Sequence, residues 1–171
     1  MEPTPKQSEL IGKEANKSLR ENYLLNYMLD IESRQSLLNL DKFIDPFNVE
    51  MTITRNDEAR AVKADMIETF NYLLGLRVQT MRRLMGIYEV TGTTPSGDQT
   101  LILWRNVNKT DNDALDEWFR KQAYNTRDRE FDLIYVNGDN NLENLRRADE
   151  TWKVRLIEES FHTLMFDVED V

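Results

Sequence analysis

The feature that most restricts the fold is a strand–helix–strand order in the second half of the chain. "QTLILWR" (99–105) and "FDLIYV" (131–136) are short apolar runs rich in β-branched and aromatic residues. Between them, "TDNDALDEWFRKQAYN" carries Leu115, Trp118, Phe119 and Gln122 at helical spacing, with Asp111 or Asp113 placed to cap the first turn. A strand, a helix and a strand in one sheet close by a right-handed crossover, so the two strands are expected to be parallel. Immediately upstream, "RLMGIYEVTG" reads as a strand joined to "QTLILWR" by "TTPSGD", whose Pro95 and Gly97 punctuate a hairpin loop. A hairpin feeding a crossover demands a mixed sheet.

The flanks supply the covering layers. "FNVEMTITR" alternates Phe47, Val49, Met51 and Ile53 with polar residues, the period of a half-buried strand. Asn56-Asp57 can cap a helix through "EARAVKADMIETFNYLLGL", where Val62, Met66, Phe70 and Leu73/Leu74 share a face. Gly75 stands where that helix needs a left-handed residue, with Leu76 free to fold back. "WKVRLIEESFHTLMF" places Val154, Ile157, Phe161 and Leu164/Met165 on a last helical stripe, and Tyr23, Leu24, Tyr27, Met28 and Ile31 mark an earlier one. Residues 1–20 form a polar lead-in, helical or frayed, and "DVEDV" a loose acidic tail. The expectation is α+β: one domain over residues 21–171, about four strands in a mixed sheet packed with about four helices.

Composition excludes several classes of function. The 171 residues are 40% hydrophobic and 31% charged, with no cysteine, so disulfide frameworks and thiolate metal sites are out. No apolar run approaches the roughly 20 residues that span a bilayer, and "MEPTPKQSEL" lacks a signal peptide's basic start and apolar centre. A cytoplasmic protein without membrane contact is expected. The formal net charge is −9, the opposite of an isolated DNA-binding module. Basic clusters at Arg77, Arg82 and Arg83, and at Arg146, Arg147, Lys153 and Arg155, read as solvated or intersubunit faces.

Chemistry is sparse. The turn "NGDNN" after the strand at 131–136 could hold a metal, hold a nucleotide or turn the chain. Asp139 is its only carboxylate, and Asn-Gly is itself a strong turn signal, which favours the last reading. Asp45-Pro46-Phe47 lacks the second proline of an amino-methyltransferase motif and reads as a turn. The six glycines form no phosphate cradle, and His162 stands alone on its helix. After Asp98 the strand offers Leu103-Trp104-Arg105, not the E-x-K of a restriction nuclease.

"NYMLDIESRQSLLNLDKFIDPFNVEMTI" (26–53), "ETFNYLLGL" (68–76), "LILWR" (101–105), "FDLIYVNGDNNL" (131–142) and "IEESFHTLMF" (157–166) occur in that order. Together they closely resemble the C-terminal region of the Mod subunit of type III restriction–modification methyltransferases, from residue 22 onward. The resemblance implies a parent enzyme that moves a methyl group from S-adenosylmethionine to adenine N6 in DNA, dimerises, and joins the Res subunit. The family's D-P-P-Y and F-x-G-x-G motifs belong to an N-terminal domain and are absent here. No catalytic, cofactor or metal residue therefore carries over, and the chain alone is expected to be inactive, without S-adenosylmethionine and with weak DNA binding or none. It resembles an assembly module for Mod–Mod or Mod–Res contact; the other reading is a free-standing interaction module of the same fold. The interface candidates are Asn71, Tyr72, Trp104, Tyr135, Asn137, Asp139 and Asn140; core and turn support is the other reading, and for Tyr72 and Tyr135 it explains the residue at least as well.

Overall fold

In the computed structural model the chain is described over residues 40–124 and 130–167. The expected first helix, the lead-in and the end of the acidic tail lie outside the described residues. The described residues divide into two units, a hairpin over 50–62 and a larger unit formed by the rest.

The hairpin pairs β1 (Glu50–Arg55) with β2 (Glu58–Lys63). Asn56 and Asp57 adopt φ of 52° and 63°, so the residues expected to cap a helix form a two-residue hairpin turn instead. Asn and Asp serve both roles because each tolerates the left-handed region as well as capping. The helix starts later and is shorter. In α1 (Met66–Leu73) the cap is Asp65, whose side chain accepts from Glu68 N at 2.9 Å. Its other end is as expected: Gly75, at φ +63°, donates to Tyr72 O and Leu76 donates to Asn71 O, both at 2.9 Å. The expected strand from Phe47 also begins later, because Pro46–Asn48 is a 3-10 turn.

The larger unit is built on a five-stranded sheet in the order β3-β4-β5-β6-β7. Its strands are β3 (Arg77–Leu84), β4 (Ile87–Thr93), β5 (Gln99–Arg105), β6 (Leu133–Val136) and β7 (Lys153–Leu156). The β4–β5 hairpin and the parallel β5–β6 crossover stand as expected, joined by α2 (Asn112–Gln122). The α+β class and the mixed sheet are thus those expected, but β3 and β7 are added at its edges and the expected strand from Phe47 stands outside it, paired with β2.

Each addition corrects an expectation. "RLMGIYEVTG" is not one strand, because Met85 and Gly86, at φ 52° and 81°, turn the chain and leave β3 antiparallel to β4. "WKVR" is not helical: Lys153–Leu156 pairs parallel to β6, and the last helix, α3 (Ile157–Asp167), follows directly. The inward residues Ile157 and Phe161 are as the stripe foretold.

Two cores sandwich the sheet. On one face Leu115, Trp118 and Phe119 of α2 pack over Ile87, Leu101, Leu103, Ile134 and Val136. Asp111 caps α2 by accepting from Ala114 N, and Ala123 ends it in the left-handed region. On the other face Phe70 of α1 sits at the centre of an aromatic cluster. It meets Trp104 and Tyr135 edge-on, at centroid distances of 5.8 and 5.3 Å, and lies nearly parallel to Phe161 at 6.0 Å. Burying side chains of this size contributes roughly 2 kcal/mol or more each, which is why the sheet's centre is its most buried part. No described helix is long and apolar enough to cross a membrane.

Candidate functional site: a filled strand end and an open groove

The carboxyl ends of parallel strands are where open α/β sheets hold ligands. Here that place is filled by the chain itself. Arg105, the last residue of β5, is only 1% exposed. Its guanidinium donates to four neutral oxygens: Asn137 O at 3.2 Å, Thr110 O at 3.3 Å, Asn112 Oδ1 at 2.8 Å and Asp139 O at 3.0 Å. Burial pulls its pKa below the ordinary arginine value, against the fields of Glu158, Asp111 and Asp116. The cation is held by carbonyl dipoles, and in return it pins the loop after β5 to the turn after β6.

The turn is shaped for this. Asn137 is fully buried, with Oδ1 accepting from Arg105 N and Nδ2 donating to Arg105 O and to Phe43 O. Gly138 has φ +80°, and a Cβ there would meet Val107 Cγ2 at 3.0 Å and the Arg105 guanidinium at 3.2 Å. Its N–H donates to Glu158 Oε1 at 2.5 Å, and Asn140 closes the turn by donating to Gly138 O. Burial pushes the Glu158 carboxyl above the usual range. The Asp139 side chain is exposed, and no cluster of three or more metal-ligating side chains exists among the described residues. Of the three readings of "NGDNN", this geometry belongs to the turn.

Placing the remaining interface candidates divides them. Trp104 and Tyr135 are 0% and 3% exposed, so they are core residues and not surface ones, fixed by their contacts with Phe70. Asn71 and Tyr72, in contrast, line a groove of about 830 Å³ between α1 and the open face of β3 and β4. Tyr72 is 40% exposed, while Asn71 is nearly buried, with an amide oxygen that lacks a hydrogen-bond partner. Pro46, Phe47, Leu76, Val78, Met81 and Tyr88 add apolar lining.

The groove's strand wall escaped sequence reasoning. All eight residues of β3 are exposed, and Val78, Met81 and Leu84 retain 39–49% of their surface, with Met85 at 71%. Gly86, in a two-residue turn between apolar runs, was the available signal. The arginines here divide as well. Arg82 grips the buried Glu89 through Nε and Nη2 at 2.8 and 2.9 Å, and Glu89 also accepts from the Tyr124 hydroxyl. Arg83 lies 4.8 Å over the Phe47 ring, and among the described residues neither Arg83 nor Arg77 has an ion-pair partner. At the turn end of β3, Lys63, Arg83 and Lys109 gather around a second hollow of about 270 Å³.

The other sequence candidates serve the fold. Asp45 accepts from Asn48 Nδ2 in the turn around the buried Pro46, and Arg146 pairs with Glu143 while donating to Trp152 O. His162 is exposed on α3. No protein-family model, no curated protein and no solved structure matches the chain.

Proposed function

We propose that the chain is the C-terminal, non-catalytic domain of a cytoplasmic type III DNA adenine-N6 methyltransferase, and that its work is assembly of Mod with Mod or with Res. The ordered segments from "NYMLDIE" to "IEESFHTLMF" support the family, and the strand β3, exposed at every residue beside its apolar groove, carries the assembly role. An apolar groove whose strand wall carries the exposed side chains of Val78 and Met81 is what a docking surface requires.

The DNA upstream of the Met1 codon tests the family. An adjoining open frame with D-P-P-Y and F-x-G-x-G motifs supports it; a stop codon with no methyltransferase gene makes the chain a free-standing module. Tight S-adenosylmethionine binding by the chain alone in calorimetry overturns the reading. Co-purification with tagged Mod or Res subunits tests the role, and failure to retain either sinks it.

A further inference from the structure

We infer that the edge of β3 accepts an extended, acidic segment of a partner chain, added as a sixth strand with its apolar side chains seated in the groove. The inference rests on the assembly reading of this surface and names the chemistry of what docks there. Three observations carry it.

The first is an unpaired backbone edge. Among the described residues β3 is the outermost strand, bonded to β4 on one side only. Leu84 and Ile87 flank the two-residue turn, and a pair that closes such a turn exchanges both hydrogen bonds. The antiparallel alternation then turns the N–H and C=O of Arg83 and Met81 away from β4, toward the free edge. Upstream, the register shift between Val78 and Thr80 interrupts the ladder, so the usable edge is the stretch toward Leu84.

The second is the side-chain environment. Side chains alternate along a strand, and Met81 and Arg83 project on the groove face, opposite Val90 and Tyr88. An added strand would therefore drop every second side chain against Tyr72, Val78 and Met81. Backbone bonds give such additions their affinity, and pockets for alternate side chains give specificity.

The third is charge, which selects the occupant. Among its eight residues β3 has Arg77, Arg82 and Arg83 and no carboxylate, in a chain of net charge −9; Arg82 is already paired with Glu89, so Arg77 and Arg83 carry the charge offered to a partner. Lys63 and Lys109 join Arg83 at this end, where the lining's one carboxylate, Asp45, accepts from Asn48; the groove's own carboxylates, Asp65 and Glu68, belong to the α1 wall and not to the strand. Arginines on an edge strand guard against pairing with other edges. That guard acts by charge, so it rejects neutral or basic strands and favours acidic ones. A second copy of β3 would align the arginines of both chains along one ladder with no carboxylate on either strand, which disfavours self-pairing.

The test titrates the full chain with a labelled, end-blocked peptide alternating Glu and Val, beside a Lys–Val peptide and a duplex DNA. Amide exchange of Met81 and Arg83 is read by NMR. The acidic peptide should bind, protect those two amides, and lose about tenfold in affinity in Arg83→Glu, the factor for one charge-assisted contact. Arg83 is exposed, so this variant keeps its fold, and Arg83→Lys should retain most of the binding. Equal binding of the Lys–Val peptide, protection elsewhere, DNA binding at β3 with no peptide bound, or sealing of β3 by self-association each overturns the inference. Retention of Mod or Res by a chain that ignores the acidic peptide also overturns it and leaves the assembly reading intact. Peptide binding at β3 by a chain that retains neither subunit supports the inference and removes the assembly reading.

Discussion

The side-chain amide of Asn137 stands in for a strand's backbone toward Arg105: it accepts from Arg105 N at 2.9 Å and donates to Arg105 O at 2.7 Å. The β5–β6 ladder ends at the Leu103–Val136 pair, so this amide carries the pairing one step past it. A second donor bond, to Phe43 O at 2.8 Å, ties the same side chain to the segment before β1.

Asn137→Ala should therefore cost about 2–4 kcal/mol, because it orphans one buried N–H and weakens two buried carbonyls. Asn137→Asp is the sharper variant. It keeps the acceptor but replaces a donor with a charge facing Arg105 O and Phe43 O, so it should be no more stable than the alanine form at neutral pH. Urea unfolding of both variants checks this, and an aspartate form close to the parent would contradict the backbone-mimic account.

Arg105 tests the other half of the clamp. Its four acceptors lie around a planar fork, a geometry that one ammonium cannot match. Arg105→Lys and Arg105→Met should each lose roughly 3 kcal/mol, with lysine giving little rescue. Thermal unfolding compares them. A lysine variant with near-parent stability would show that charge alone suffices.

Two glycines separate space from backbone geometry. A Cβ on Gly92 would lie 2.5 Å from Arg77 O and 2.8 Å from Leu76 Cγ, so backbone must move and β3 is pushed from β4. Gly97 has φ +90° and nothing within 4 Å of an added Cβ. Gly92→Ala should cost about 2 kcal/mol or more through displaced strand pairing, and Gly97→Ala about 1 kcal/mol through backbone strain alone. Amide exchange in β3 distinguishes them, since only the first should speed it.

How much of this was legible in residues follows the strength of local signals. The crossover was readable because "LILWR", the Asp111-capped helix and "DLIYV" each agree with the sheet that uses them. "EARAVK" misled because Glu, Ala, Arg and Lys favour helix, whereas the left-handed pair Asn56-Asp57 makes a hairpin. β3 was hidden for a related reason: with every residue exposed, it carries no apolar alternation to read. "WKVR" is too short to separate strand from helix by period, and its place beside β6 is a tertiary fact. In the candidate site, Asn-Gly announced a turn, but nothing local says that Asn137 finds Arg105 across 32 positions. Asn71 and Tyr72 line a groove that exists only once β3 is in place.

Glu158 gives the molecule a pH dependence whose sign can be worked out. Burial raises its carboxyl above the ordinary 4.5, outweighing the hydrogen bond from Gly138 N–H and the field of Arg105, while Asp139 adds to the rise. The folded state thus holds this proton more tightly than the unfolded chain does. Stability from this group is full below the unfolded value and falls as pH rises from there through the folded value. Glu158→Gln keeps an acceptor for Gly138 N–H but cannot ionise, so it removes that slope. The difference in unfolding free energy, variant minus parent, should grow in the variant's favour as pH climbs above 4.5, then level off. Urea titrations at a series of pH values measure it. A difference that stays flat, or that shrinks with rising pH, would mean that Gly138 N–H and Arg105 outweigh burial at this carboxylate.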